Sequence, residues 1–413
     1  MAVGHGQRWP VVTLPLFNFT ADWGAASLKI TREFKTDIIV SRSGREQRRA
    51  LRDTPRKSVE FTSTLSGATL RAFYRTMEKS GGQTGVLPDF SRSLDITAPA
   101  SAGGFTVDVG SIPDWIADGL NVVLMTLDGV TAETLVISTT STTSLTFMSA
   151  LVNAWSAPAV VRPGLTGRLA VDTSASQITD GVNQVSVHFD VSPGSERGIS
   201  DGAAALIYDS REVFLLQPNW ASAVTPSYHS PFEVLDYGFG VVGYYNPITF
   251  NTRIKQAVYL ARSPVEALFM EQFHQRMRGQ RGEFYAPTWE NDLPLKVPAV
   301  ALAASIRVDG RDTHDAYTGD TVYGAIAIIL NDGSLITRQV VSLTLVSDGI
   351  GTNDTLVNLD AELGVDITAA NVSAISWMPV CRLASDTLTT EWLTDGVAQF
   401  QLNQQTVENL PPE

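Results

Sequence analysis

The chain has 413 residues, 44% hydrophobic and 18% charged, with 32 Gly and 20 Pro. That composition excludes a disordered chain and predicts two to four domains at roughly 100–200 residues each. A formal net charge of −13 excludes tight wrapping of nucleic acid, whose affinity rests on neutralising phosphates with Lys and Arg. The single cysteine, Cys381, excludes an intramolecular disulfide framework and a cysteine-built zinc site, so packing and assembly must carry stability, and synthesis in a reducing compartment fits.

The opening stretch MAVGHGQRWPVVTLPLF has neither a basic segment leading into an apolar one nor a small-residue cleavage site, so no secretion signal is expected. The longest apolar run, Ala325 to Leu330, is strand-length and far short of the roughly 18 residues of a membrane helix.

Taken in chain order, the predicted elements occur twice. FNFTADW, ending at Trp23, parallels LLQPNW, ending at Trp220. An alternating stretch with Lys57, Val59 and Phe61 parallels Lys255, Ala257 and Tyr259, and each runs into a helix. The helices share one apolar face, Leu70, Phe73 and Met77 against Met270, Phe273 and Met277, and each closes on glycine, in SGGQTG and RGQRG. Strand-like runs ending in VLPDF and EFYAPTW follow.

The fourth correspondence is the most specific. Arg168, Leu169, Ala170, Asp172, Thr173, Thr179, Asp180, Gly181 and Val182 reappear as Arg382, Leu383, Ala384, Asp386, Thr387, Thr394, Asp395, Gly396 and Val397, with one residue of gap.

Between the third and fourth parts each copy holds an insert of short alternating strands and Gly/Asp turns: FTVDVG, NVVLMTLDG, ETLVIS and SLTFM in one; SIRVDG, AIAIILNDGS and VVSLTLVSDG in the other. The predicted fold is therefore mainly β with a few helices: duplicated α+β sheet units, each interrupted by a small β-barrel or sandwich. The predicted boundaries are 1–95 plus 164–193 for the first unit and 96–163 for its insert. A linker follows at 194–206, then 207–296 plus 380–413 for the second unit and 297–379 for its insert.

Duplicated sheet units with one helix and inserted β-modules resemble the tail-tube fold of tailed-bacteriophage tail-tip proteins, the distal tail proteins and baseplate hubs. The segment from Ile38 to Phe61 adds to this. Ser43, Gly44, Glu46, Gln47, Arg48, Pro55 and Arg56 match a strand, S-G-x-E-Q-R-like loop, P-R and strand sequence common near the start of such proteins. The resemblance covers the parent units, roughly half the chain, and the second copy lacks the arginines.

What the resemblance implies is a structural ring of a phage tail tip or baseplate, a virion component assembled in the host bacterial cytoplasm. Two tube positions per chain favour a trimer of pseudo-sixfold character, with a hexamer as the other form. The implied partners are the tail tube protein, the tape-measure protein and hub or tail-fibre proteins, with DNA passing through the lumen without specific binding.

One stretch stands out for its charge: Arg42, Arg45, Arg48, Arg49, Arg52, Arg56 and Lys57, against Glu46 and Asp53, in an otherwise acidic chain. It is expected to be a flexible arm contacting the next ring or the tape-measure protein, in preference to a solvated hairpin tip.

The carboxylates Asp309, Asp312, Asp315 and Asp320 do not follow the calcium-loop spacing, so a long turn and no metal are expected. His5, His188, His229, His274 and His314 are scattered, with no G-x-S-x-G or H-E-x-x-H pattern. Neither an enzyme nor a cofactor is expected. Trp115, Trp155 and Trp377 are expected in cores. Stacking of these rings on host sugars would instead make the chain a carbohydrate-binding adhesin of the tail tip, the alternative function.

Overall fold

The structure, a computed structural model, describes residues 14–80, 82–170, 173–194, 201–230, 232–240, 242–246, 251–347, 353–394 and 396–409. It is mainly β with a few helices. Asp172 and Asp395 of the repeated motif, His5 and part of the expected linker lie outside the described residues.

The first copy contains β1 (Leu28–Glu33), the hairpin β2 (Thr36–Val40) and β3 (Glu46–Ala50), β4 (Arg56–Ser66), α1 (Gly67–Ser80) and β5 (Gly85–Pro88). After the insert it resumes with β6 (Ala159–Leu169) and the hairpin β7 (Ser174–Thr179) and β8 (Val182–Val191). The second copy runs β9 (Arg211–Val213), β10 (Thr225–His229), the hairpin β11 (Glu233–Asp236) and β12 (Val242–Tyr245), β13 (Thr252–Ala261), α2 (Pro264–Met277) and β14 (Phe284–Tyr285). It ends with β15 (Val380–Leu383), β16 (Thr387–Thr394) and β17 (Val397–Thr406).

The ladders of the two copies match. In the first, β4 pairs with β8, β8 with both β6 and β7, and β6 with β5. In the second, β13 pairs with β17, β17 with both β15 and β16, and β15 with β14. Even the entry is repeated: Phe17 N donates to Val86 O and Phe214 N to Tyr285 O, both at 2.8 Å.

Strand registers then fix equivalence residue by residue. Val185 faces Ser63, as Phe400 faces Tyr259, so β4 and β13 are displaced by 196 residues. Lys57 is therefore equivalent to Arg253, two residues away from the Lys255 that the sequence pattern suggested. A two-residue slip keeps the same face of a strand, so the apolar alternation fits both alignments.

Alternation builds the shared core. On β4 the inward row is Lys57, Val59, Phe61, Ser63 and Leu65; on β17 it is Ala398, Phe400, Leu402, Gln404 and Thr406. α2 starts at Ser263, whose hydroxyl accepts from Glu266 N at 3.3 Å, with Pro264 at its first position, where a missing N–H costs nothing. Its Phe273 packs on Phe214 and Phe284, with ring centroids 4.7 and 5.0 Å away. One cluster joins Phe17, Phe73 and Phe189 of the first copy to Phe214, Phe273 and Phe400 of the second.

The inserts have their own cores. Leu124, Ile137, Phe147 and Trp155 form one; Ile306, Ile328, Val357 and Trp377 form the other, and Trp115 is partly buried. β6 belongs to two sheets, pairing through 159–163 with the insert strand Asn121–Thr126 and through 164–169 with β5 and β8. The carboxylate-rich segment departs from the expected long turn: Asp312–Tyr317 is a short helix, held by an Arg311–Asp315 ion pair one turn apart at 2.7 Å.

Phe273 closes the core from the helix side, so Phe273→Ala is expected to destabilise the protein by about 3–5 kcal/mol. Chemical denaturation followed by tryptophan fluorescence checks this.

Candidate functional site

The two copies are fused through one strand. β1 pairs with β4 of its own copy and, on its other edge, with β16 of the second copy: Leu28 faces Trp392, Ile30 faces Thr390 and Glu33 faces Thr387. Phe34 N continues this ladder by donating to Asp386 O at 3.0 Å.

Side chains close the seam. The Asp386 carboxylate accepts from Thr36 N at 2.6 Å, Thr36 Oγ1 at 2.7 Å and Gln280 N at 2.9 Å. Arg382, buried, forks onto Glu46 through Nε at 2.7 Å and an Nη at 2.9 Å, the bidentate geometry that planar guanidinium favours. Deeper in, Glu271 of α2 is held by Arg32 at 2.6 Å and Arg92 at 3.0 Å, two first-copy cations on one second-copy carboxylate.

The basic segment is spent largely on this seam. It is not a flexible arm: residues 46–50 are β3, and Arg56 and Lys57 begin β4. Arg48 pairs with Glu283 of the second copy and donates to Arg281 O at 3.1 Å. Lys57 is buried against Asp89 at 3.2 Å, and Arg52 meets Glu33 at 3.3 Å. Arg45 lies 3.6 Å from Glu408, and Arg42, 3.7 Å from Glu233, places its guanidinium 5.1 Å from the Tyr245 ring centroid. Arg49 and Arg56 are exposed. Five of the seven cations therefore have charged partners inside the same chain, three of them in the second copy, and alternation on β3 turns Arg48 toward that copy and Arg49 away from it.

Beyond the seam, the sheet has two further edges of the same kind. β10 is to β13 what β1 is to β4: Pro226 faces Lys255 as Ile30 faces Val59. β7 is to β8 what β16 is to β17, down to the same register shift, after Gln177 in one and after Trp392 in the other. Among the described residues, neither β7 nor β10 has a partner on its outer edge, and every residue of both is exposed.

The ladder parity is informative at Pro226. Asn219 N donates to Val258 O at 2.8 Å, so the even positions of β13 bond toward β10. That puts Thr225, Ser227 and His229 on the bonded side and Pro226 and Tyr228 on the open side. Proline is tolerated there because its missing N–H costs no existing bond.

Among the described residues, the remaining histidines lie apart from one another. His188 lies on β8 near Glu60, His229 on β10, and His314 in the short helix of the second insert. His274 is buried at the seam, with Nε2 donating to Asp386 O at 3.2 Å and Phe34 packed against its ring. Burial pushes its pKa down to about 4, reinforced by nearby Arg32 and opposed by the Asp386 carbonyl. No helix among the described residues is long and apolar enough to cross a membrane.

Arg382 and Asp386 were visible in sequence only as members of the repeat; their role at a junction was not, since their partners Glu46 and Thr36 lie more than three hundred residues away. No protein-family model matches this chain, and no curated protein is significantly similar to it.

Two outcomes follow. Removing both seam anchors, in Arg382→Ala with Asp386→Asn, is expected to expose the turn between Ser41 and Arg45 to trypsin at least tenfold faster, read by timed digestion and mass spectrometry. The second concerns acid. The unfolded chain protonates His274 near pH 6.5 and the folded chain refuses the proton until about 4. Stability is therefore present above pH 6.5 and falls between those values, by on the order of 3 kcal/mol. Denaturation midpoints at pH 7 and 4.5 are expected to differ less in His274→Gln than in the parent.

Proposed function

We propose that this chain is a self-assembling structural subunit, a ring component of a bacteriophage tail tip or baseplate that continues the tail tube and docks hub or fibre proteins. The observation that carries the reading is the junction written twice and used once. Within the chain, β1 of copy one meets β16 of copy two; among the described residues their equivalents β10 and β7 end unpaired at opposite edges of the same sheet.

An unpaired edge is a template for another strand. β7 has the sequence SASQIT, with no Lys or Pro to blunt it; β10 carries Pro226 on its open side, so its row lacks that one donor and keeps its carbonyls and the N–H of Tyr228. Repeating the β1–β16 register sets β10 of one chain against β7 of the next, with Pro226 facing Ala175 and Val224 facing Gln177. Such a contact is head-to-tail, so successive chains close into a ring when the rotation permits. Two sheet units per chain make three chains a pseudo-sixfold ring, and the resemblance of the Ile38 to Phe61 segment to phage tail-tip proteins supplies the biological setting.

The acidic balance of the chain suits a lumen that DNA crosses without sticking. With Arg48, Arg52 and Lys57 committed inside the chain, contact with the next ring or with a tape-measure protein falls to a more exposed member of the basic segment, Arg56.

Native mass measurement at micromolar concentration is expected to give a trimer. Ala175 has its N–H on the outer side of β7, so Ala175→Pro removes a bond to the neighbouring chain and none within its own ladder. That variant is expected to keep the parent's circular dichroism spectrum, to remain monomeric, and to lose the concentration dependence of the thermal midpoint. A parent protein that stays monomeric throughout contradicts the assembly reading, as does an Ala175→Pro variant that assembles normally.

A further inference from the structure

The hairpins of the two copies are equivalent in detail, and only the first covers its seat on the neighbouring copy. β2–β3 and β11–β12 have the same register, Asp37 opposite Arg49 and Val40 opposite Glu46 in one, Glu233 opposite Tyr245 and Asp236 opposite Val242 in the other. At a displacement of 196 residues, Glu46 becomes Val242, Arg48 becomes Tyr244 and Arg49 becomes Tyr245. The basic hairpin has become an aromatic one.

β2–β3 rests on the second copy, against Arg382, Glu283 and the Tyr245 ring. β11–β12 meets the first copy through Glu233 and Tyr245, both at Arg42, and its other large side chains are exposed: Phe239 is 90% exposed, Tyr244 72% and Tyr237 71%. A cluster of that many exposed aromatic side chains on one small hairpin marks an interaction surface.

The matching seat exists, and its arginine is exposed. The β6 and β15 registers make Arg168 the equivalent of Arg382, and those of β5 and β14 make Thr84 the equivalent of Glu283. Arg382 is 5% exposed because a hairpin covers it. Arg168, by contrast, is exposed and donates to Thr84 Oγ1 at 3.2 Å.

We propose that the aromatic hairpin β11–β12 docks on the first copy of a second molecule of this chain, with Tyr244 beside Arg168 and the Tyr237–Phe239 tip beside Arg49.

The chemistry is complementary at both points. Within the chain, Arg42 lies over the ring of Tyr245. Between chains the roles invert: the position of Arg42 is Gly238, flanked by Tyr237 and Phe239, and the position of Tyr245 is Arg49, an exposed arginine. Aromatic faces attract guanidinium, and the Arg168 side chain is placed to receive one. The inversion also separates the two hairpins chemically, since the aromatic one has no carboxylate-seeking arginine to offer the acidic seat already filled by β2–β3.

The inference rests on the assembly proposed above and adds the surface that locks it. To test it, chains bearing Val242→Cys and chains bearing Thr84→Cys are purified separately, mixed and treated with a short bismaleimide; the only native thiol, Cys381, is buried. Both substitutions keep Tyr244 and Arg168. A covalent dimer is expected from the mixture and from neither variant alone, and Arg168→Glu is expected to weaken assembly about tenfold. An oligomer of normal mass that gives no cross-link overturns the hairpin docking and leaves the ring standing. A protein that is monomeric by mass overturns the ring, and this docking with it.

Discussion

Everything in this molecule depends on one antiparallel ladder, β1 on β16, which turns two copies of a sheet unit into one continuous sheet. The backbone supplies its directionality, and side chains make it specific. Asp386 collects three donors from both sides of the seam, and Arg382 forks onto Glu46. Below them Glu271 is buried between Arg32 and Arg92. Taking these charges out of water is costly, and only their close pairing offsets the loss. A wrong register would leave them unpaired, so the seam is stable in one alignment.

The same ladder makes the outer edges chemically consequential. A duplicated unit joined once has two ends, and here the ends are β7 and β10; β7 bears the backbone row that β16 uses inside the chain, and β10 bears that of β1 except at Pro226, which has no N–H to give. The copies have diverged where divergence matters for selectivity. The hairpin that stays at home carries arginines for carboxylates, and the one that projects carries tyrosines and phenylalanine. The inserts stand apart from this, with separate cores that bury their own tryptophans.

Much of the fold was legible in the sequence because it is periodic. The inward row of β4, the apolar face of α2 and the nine-position motif around Arg168 and Arg382 are local patterns, and each landed in the element they implied. What was not legible is non-local. Pairing of Lys57 with Lys255 positions fitted the alternation as well as the true equivalence with Arg253, because a slip of two residues preserves the face. The arginine segment read as an arm reaching for another protein because its partners Glu283, Glu233 and Glu408 are scattered far along the chain. The aromatic hairpin was legible only as the copy that lacks the arginines; its residue-by-residue equivalence to β2–β3 comes from the strand registers.

The central claim is that the β1–β16 junction is repeated between molecules by β10 and β7. Hydrogen exchange of single backbone amides tests it most directly. The amides of Gln177 and Tyr228 point to the open edges, whereas that of Ser176 is already bonded inside the chain. On raising the concentration from monomer to assembly, exchange at Gln177 and Tyr228 is expected to slow at least a hundredfold while Ser176 changes little. An assembled particle in which Gln177 and Tyr228 exchange as fast as in the monomer would contradict it.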